Sequence, residues 1–163
     1  MLSRSQSPSD VFQLALPELL SYIFGELDLY DLIPATHVCR HWRSVALETP
    51  LLWAEFWVRE RNASLVLAMF ERSRNVPLAI TVIDEWSARF NVASSVAVAL
   101  ARNMGRVRSI YITGRSAIIN GILAHAAPDL EDLHVLAEDN GSFVPRTWPA
   151  LKKLEVLNMA LSS

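Results

Sequence analysis

The chain has 163 residues, of which 52% are hydrophobic and 20% are charged, so it is long and apolar enough to bury a real core. The net charge of −2 argues against a general nucleic-acid binder, because phosphate contacts require an excess of cationic side chains. The single cysteine excludes an internal disulfide and a cysteine zinc site, and with no signal-peptide pattern it indicates a reducing compartment, the cytoplasm or the nucleus. No uncharged apolar run approaches the ~20 residues that span a bilayer, so we expect no membrane partner.

The chain opens with a polar segment, residues 1–13, which we predict to be a disordered tail. An amphipathic helix follows, because apolar side chains recur at intervals of three and four residues along one face. Pro17 suits its first turn, where the missing amide N–H is not needed, and it forces Leu16 into an extended lead-in. The predicted stripe consists of Leu16, Leu19, Leu20, Ile23, Phe24 and Leu27.

Two further short helices are predicted before Pro50. We expect Asp31 to cap the second helix, because this start places Pro34 in the first turn, where proline is tolerated. The third helix ends at Pro50, and a dense apolar patch follows at residues 51–57. The apolar face of the third helix consists of Val38, Cys39, Trp42, Val45 and Ala46.

Helical and strand patterns alternate from residue 59 onwards, which implies a parallel sheet with helical crossovers. Three strands, beginning at residues 107, 130 and 151, fit an L-x-x-L-x-L template with offsets of 23 and 21 residues. These offsets fall within the ~20–29 residues of leucine-rich repeats. The helices are predicted at 61–75, 94–104 and 116–127, and the strands at 77–84, 107–114, 130–137 and 151–159.

Patterns of catalytic chemistry are weak in this sequence. His37 and His41 are four residues apart, as a metal-binding pair would be, but no acidic third ligand has suitable spacing. The glycines form neither a dinucleotide-binding motif nor a P-loop, and no G-x-S-x-G nucleophile motif occurs. We therefore expect no catalytic residue, no metal, no cofactor and no enzymatic activity.

The segment from Leu16 to Trp53 resembles the F-box in the order and spacing of its short patterns. These are L-P-E-L-L-S-Y-I-F, then an acidic and leucine-rich helix start, then V-C-R-H-W-R-S-V-A, then P-x-x-W. Pro34 departs from the pattern of many members. The matching positions are Leu16, Pro17, Glu18, Leu19, Leu20, Ile23, Phe24, Leu27, Leu32, Val38, Cys39, Trp42, Arg43, Ala46, Pro50, Leu52 and Trp53.

The resemblance implies an α+β protein with a three-helix F-box at residues 14–57 and a partial leucine-rich-repeat-like recognition region with parallel strands at residues 58–163. F-box proteins dock on the Skp-type adaptor of a cullin–RING ubiquitin ligase, and their second region captures a protein substrate, here unknown. A three-helix unit of ~40 residues rarely buries enough surface alone, so its leftover apolar side chains should be covered by that adaptor. The side chains assigned to adaptor docking are Leu16, Pro17, Leu20, Ile23, Phe24, Leu32, Val38, Trp42, Leu52 and Trp53.

The repeat template also predicts a substrate face. Its leucines point to the core, and the intervening residues point to the concave surface of the sheet. This surface is mixed and polar with one aromatic ring, which suits a protein or peptide rather than a lipid. It consists of Thr81, Ser109, Tyr111, Asp132, His134, Lys153 and Glu155.

Other functions fit the sequence less well. A helical nucleic-acid reader is opposed by the net charge of −4 over residues 14–58, and a small α/β hydrolase-like enzyme lacks a nucleophile–base pair. Two variants of the leading prediction stay open: a Skp-adaptor-binding protein without a ligase substrate, and a shortened paralogue that captures none. Lys152 and Lys153 are the only lysines, so self-ubiquitination would be confined to them and to the N-terminal amine.

Overall fold

The computed structural model describes residues 16–59, 62–83, 95–142, 144 and 146–158. The tail predicted at residues 1–13 lies outside these ranges. The chain divides into two compact units, and the boundary between them lies between Leu52 and Trp53. Helices make up the first unit, and a parallel sheet with helices makes up the second, which confirms the predicted α+β class.

The first unit contains three short helices. Helix α1 spans Pro17–Gly25, α2 spans Leu29–Ala35 and α3 spans Arg40–Glu48. Leu16 precedes α1 in an extended conformation, with φ −59° and ψ 137°, as the residue before a proline prefers. Pro17 opens the helix, as the sequence pattern predicts.

The apolar core of this unit is drawn from all three helices. Leu20 and Phe24 of α1, Leu32 of α2 and Val45 of α3 are at most 5% exposed. The Phe24 ring meets the Trp42 ring edge on, with centroids 5.4 Å apart and an interplanar angle of 65°. Because edge-to-face aromatic pairs stabilise beyond the area that they bury, this contact fixes α1 against α3.

The second helix begins earlier than the sequence predicts. Asp28, and not Asp31, is its N-cap: the Asp28 carboxylate accepts a hydrogen bond from the Asp31 amide at 2.9 Å. Pro34 therefore lies inside the helix, as the sixth of its seven residues. Its missing amide N–H removes one hydrogen bond in a helix that ends at the next residue, so the cost stays local.

The third helix begins later than the sequence predicts. Val38 lies in the turn before it, and Cys39 is an extended N-cap with φ −156° and ψ 171°. Val38 is consequently exposed, and Cys39 is half-buried rather than part of a buried stripe. Val45 and Ala46 keep the buried positions that the helical spacing predicts.

The second unit is built on a parallel sheet. Its elements are β1 Glu55–Val58, α4 Ala63–Arg72, β2 Leu78–Ile83, α5 Ser95–Asn103, β3 Val107–Gly114, α6 Ser116–Leu123, β4 Asp132–Ala137 and β5 Lys153–Asn158. The five strands lie in chain order and all pair in parallel, as the alternating helix and strand patterns predict. Strand β1 is not predicted by the sequence, which indicates only an apolar patch at residues 51–57. None of the helices in the described ranges is long and apolar enough to cross a membrane.

The two faces of this sheet differ in exposure. Along β2 and β4, buried residues alternate strictly with half-buried ones. Helix α4 packs against β1, and α6 packs against β3 and β4, so helices cover one face, the inner face. Crossovers between neighbouring parallel strands share one hand, which brings their helices to the same side. The opposite face, the outer face, carries the side chains that stay accessible.

Strand β5 lies at the edge of the sheet, and its inner face is open. Leu154 and Val156 are register neighbours of Leu133 and Val135, which are buried. Leu154 is nevertheless 51% exposed and Val156 is 42% exposed. Burial by the helix layer therefore ends at β4.

The register stacks equivalent positions of the predicted repeat. Lateral neighbours are 23 residues apart between β3 and β4 and 21 residues apart between β4 and β5. The stacked residues are Ile110, Leu133 and Leu154 in one row, and Ile112, Val135 and Val156 in the next. This geometry agrees with the template, and the identification of the region as leucine-rich repeats stays a prediction.

Arg106 fastens the end of α4 to the turn that precedes β3. Its guanidinium donates hydrogen bonds to the carbonyl oxygens of Phe70 at 3.0 Å and Val76 at 2.7 Å, and to the Ser73 hydroxyl at 3.0 Å. Its Nε donates to the Asn103 side chain at 2.9 Å. One cation thus satisfies acceptors at and beyond a helix C-terminus, where positive charge also complements the helix dipole.

Asp139 caps helix α6 from a position 23 residues beyond the helix start. Its carboxylate accepts hydrogen bonds from the Ser116 amide at 3.1 Å and from the Ser116 hydroxyl. The Gly141 amide donates to the same carboxylate at 3.2 Å. The Ser116 hydroxyl and then its amide lower the pKa of Asp139 below its usual range.

We expect Asp139→Ala to lower the free energy of unfolding by about 1 kcal/mol at pH 7, because the variant removes a helix cap. The folded pKa lies below the unfolded value of about 3.9, so the contribution is complete above that value and is lost as the pH falls below it. Urea unfolding at pH 7, 4 and 2.5 should show the difference between wild type and variant shrinking with acid. A constant difference at all three values would contradict the role of the charge.

Candidate functional site

Helix α1 carries more apolar side chains than one packing face needs. At 100° per residue its apolar residues cover an arc of about 200°, about twice the width that a surface helix normally buries. Leu20 and Phe24 occupy the buried side of this arc. The exposed side holds Leu16, Leu19, Tyr22 and Ile23, whose exposure ranges from 52% to 73%.

We define the α1 patch as these four residues together with the exposed Pro17. Tyr30, Val38 and Leu51 are further large apolar residues of the first unit that are more than half exposed. Small exposed apolar groups are common on any protein, but several on one short helix mark a surface that a partner covers. The α1 patch is therefore the candidate docking surface of the first unit.

The structure divides the side chains that sequence analysis assigned to adaptor docking. Those that are exposed are Leu16, Pro17, Ile23 and Val38, and those that are partly exposed are Trp42 and Leu52. Those that are at most 1% exposed are Leu20, Phe24, Leu32 and Trp53. The last four correct the prediction, because side chains without accessible surface stabilise the fold and cannot contact a partner directly.

Trp53 shows why a strong pattern can mislead about a contact. It is the aromatic residue of the P-x-x-W pattern, yet it is 0% exposed and belongs to the second unit. The Arg72 guanidinium lies 4.5 Å from the centroid of its ring, a cation–π contact. Trp53→Ala would therefore damage the fold of the second unit, and it is not a clean test of docking.

Leu19, Tyr22 and Tyr30 were missed by the sequence analysis as candidate docking residues. Leu19 lies on the predicted stripe, and Tyr22 lies beside it on the helix surface. The signal that could have found both is the width of the apolar arc. No comparable signal identifies Tyr30, which lies near the start of α2.

The outer face of the sheet gathers all seven predicted substrate residues into two neighbouring rows. The register aligns each row across the strands, so residues from four separate strands become lateral neighbours. The first row contains Ser109, Asp132 and Lys153, and the second contains Thr81, Tyr111, His134 and Glu155. The register also brings Trp57 of β1 beside Thr81, a neighbour that the sequence analysis missed because it did not predict β1.

The second row is held in place by its own contacts. His134 Nδ1 lies 2.9 Å from Glu155 Oε2, and the rings of His134 and Tyr111 have centroids 6.2 Å apart. Trp57 lies under the Arg59 guanidinium at 5.3 Å. Tyr111 and Trp57 are nearly half exposed. The row thus presents two accessible aromatic rings and a fixed histidine–carboxylate pair, a mixture typical of protein recognition surfaces.

Side chains of the catalytic and metal-binding types do not converge in the part of the chain that the structure describes. Within it, no group of three or more His, Cys, Asp or Glu residues could hold a metal ion. His37 Nδ1 lies 3.3 Å from the Arg43 guanidinium, a cationic neighbour that disfavours a metal. The arrangement is suited to contact and recognition.

Residues 17–59 match the F-box-like family. The matched range begins with Pro17, contains all three helices and ends just after β1. The chain therefore carries an F-box-like domain, as the resemblance implies. No curated protein and no solved structure matches the chain.

Proposed function

We propose that this chain, which carries an F-box-like domain, is a substrate-recognition adaptor of a Skp–cullin–F-box ubiquitin ligase. The α1 patch docks on the Skp-type adaptor, and the outer face of the sheet binds a protein substrate. The observation that carries the proposal is a coincidence of range and surface. The F-box-like match covers the one helix whose apolar arc is only half buried.

Burial of the α1 patch supplies the driving force for docking. Each apolar side chain of this size contributes roughly 1.5–3 kcal/mol when it is fully removed from water. Leu16, Leu19 and Ile23 form one exposed stripe on a helix whose other side is already fixed by the core. The partner therefore meets a preformed surface and need not order a flexible segment, which limits the entropic cost of association.

The outer face favours recognition over catalysis. His134 lies between Tyr111 and Glu155 in its row, and no serine or cysteine stands beside it there. A nucleophile–base arrangement would need such a group within hydrogen-bond reach of the histidine. In this proposal, bond formation belongs to the cullin–RING ligase, and the chain supplies two binding surfaces.

The proposal is tested by assembly of the ligase. The full chain, a Skp-type adaptor and a cullin are purified separately, and the chain is immobilised. We expect the cullin to be retained only when the adaptor is also present. Retention of the cullin without the adaptor, or no retention with it, would rule the proposal out.

Tyr111→Ala combined with His134→Ala should reduce capture of substrate at least tenfold, because the pair removes an exposed ring and the histidine that packs beside it. Quantitative mass spectrometry of proteins that co-purify with the assembled complex measures the loss. Arg102→Ala, an exposed change on α5, serves as the matched control. Substrate levels equal to those of the control would show that the outer face is the wrong surface.

A further inference from the structure

The chain has thirteen arginines but only two lysines, and both lysines lie at the start of β5. Lys152 immediately precedes the strand, and Lys153 is its first residue. Isopeptide bond formation needs an amine that can lose a proton, whereas an arginine guanidinium stays protonated and is not nucleophilic. Every side-chain amine of this sequence is therefore placed at one edge of the sheet.

The two amines have different surroundings. Lys152 Nζ lies 2.8 Å from Glu131 Oε2, and this contact lowers the pKa of Glu131. Lys153 belongs to the first row of the outer face, beside Asp132 and two residues from Glu155. Its side chain has no hydrogen bond or ion pair with any residue that the structure describes, and the residue is exposed. Only Lys152 must leave a carboxylate before its amine can react.

We propose, on the basis of the proposed function, that Lys153 is the principal self-ubiquitination site of this chain and that a ligand on the outer face shields it. The neutral amine of Lys153 attacks the thioester carbonyl of ubiquitin carried by a conjugating enzyme. The carbon–nitrogen bond forms, the carbon–sulfur bond breaks, the cysteine thiol of the conjugating enzyme leaves, and one proton passes to solvent. No oxidant or reductant is required.

Shielding follows from the positions of the two rows. Residues two apart on a strand lie on the same face and about 7 Å from each other, so Lys153 and Glu155 belong to one continuous surface. A protein segment that covers Tyr111, His134 and Glu155 covers Lys153 as well. Occupied chain is consequently protected, and empty chain is modified, which couples the lifetime of the adaptor to the presence of its substrate.

The site is tested with the full chain, N-terminally acetylated, in a reconstituted ligase with its activating and conjugating enzymes. Lys153→Arg should lower self-ubiquitination at least threefold, Lys152→Arg should lower it by less than half, and the double variant should abolish it. Glu131→Gln should raise modification at Lys152 and leave Lys153 unchanged. Peptide mapping by mass spectrometry assigns the acceptor in each case.

Shielding is tested with a probe of known position. Cys39→Ser combined with Tyr111→Cys is labelled with a 5-kDa polyethylene glycol maleimide, at about the size of a small protein segment. We expect modification at Lys153 to fall at least fivefold, and to stay unchanged when the same label is attached at Val98→Cys on α5. Equal modification with both labels would overturn the shielding.

Modification of the double lysine variant, or preference for Lys152, would overturn the assignment of the site. Adaptor binding is measured on every variant alongside. Intact adaptor binding with modification elsewhere refutes this inference alone, whereas a chain that binds no adaptor and is not modified refutes the proposed function and the inference together.

Discussion

Leu19→Glu combined with Ile23→Glu should weaken binding of the Skp-type adaptor at least about a hundredfold. Both side chains are more than half exposed in the α1 patch, at i and i+4 on one side of the helix. In the complex each glutamate would lie in an apolar interface, where an unpaired charge is costly to desolvate. Isothermal titration of the chain with the purified adaptor measures the affinity.

The double variant should keep its fold, because neither side chain contributes to the buried core. The melting temperature by circular dichroism should therefore stay within a few degrees of the wild type. Val98→Glu is the matched control, since it places the same charge at a half-exposed apolar position on α5 of the second unit. Wild-type affinity in the double variant would exclude the α1 patch as the docking surface.

Arg106→Lys should lower the free energy of unfolding of the second unit by about 2–4 kcal/mol. The guanidinium serves acceptors on Phe70, Ser73, Val76 and Asn103 with a planar fork of donors. A lysine ammonium keeps the charge but cannot reach these four directions at once, so buried carbonyl oxygens lose their partners. Urea unfolding followed by tryptophan fluorescence measures the loss.

Arg102→Lys, on the exposed surface of α5, is the control for this change and should alter the free energy of unfolding by no more than about 0.5 kcal/mol. The two substitutions have the same chemistry and differ only in the contacts that the arginine makes. Equal effects at both positions would show that the hydrogen bonds of Arg106 do not stabilise the sheet unit.

Local periodicity was enough to predict the elements that depend on neighbouring residues. The stripe of α1 and the opening Pro17 follow from spacing and from the fixed φ of proline. The assignment of Thr81, Tyr111 and His134 to one face follows from the two-residue period of strands. The family match at residues 17–59 agrees with the ordered string of short patterns.

Burial inside an apolar arc could not be predicted in the same way. The pattern of α1 shows which residues are apolar, but the choice between Leu20 as core and Leu19 as surface depends on where α3 packs. Trp53 illustrates the same limit, since its burial depends on Arg72 and on the sheet unit. Sequence patterns therefore identified the domain better than they identified its contact residues.

Long-range polar contacts also escaped the sequence analysis. Arg106 meets Phe70, a residue 36 positions earlier, and Asp139 caps a helix that begins 23 positions earlier. Neither partner is recognisable until the parallel register is known. The same holds for β1, whose four residues are too few for a clear alternation and are fixed by pairing with β2.

The central claim is that the α1 patch docks on a Skp-type adaptor, and the mass of the mixture in solution tests it most directly. The purified chain and adaptor are mixed at equal concentration and examined by size-exclusion chromatography with light scattering. We predict one peak whose mass is the sum of the adaptor and one 18.3-kDa chain, and two separate peaks for the Leu19→Glu and Ile23→Glu double variant. Two separate peaks for the wild-type chain would contradict the account.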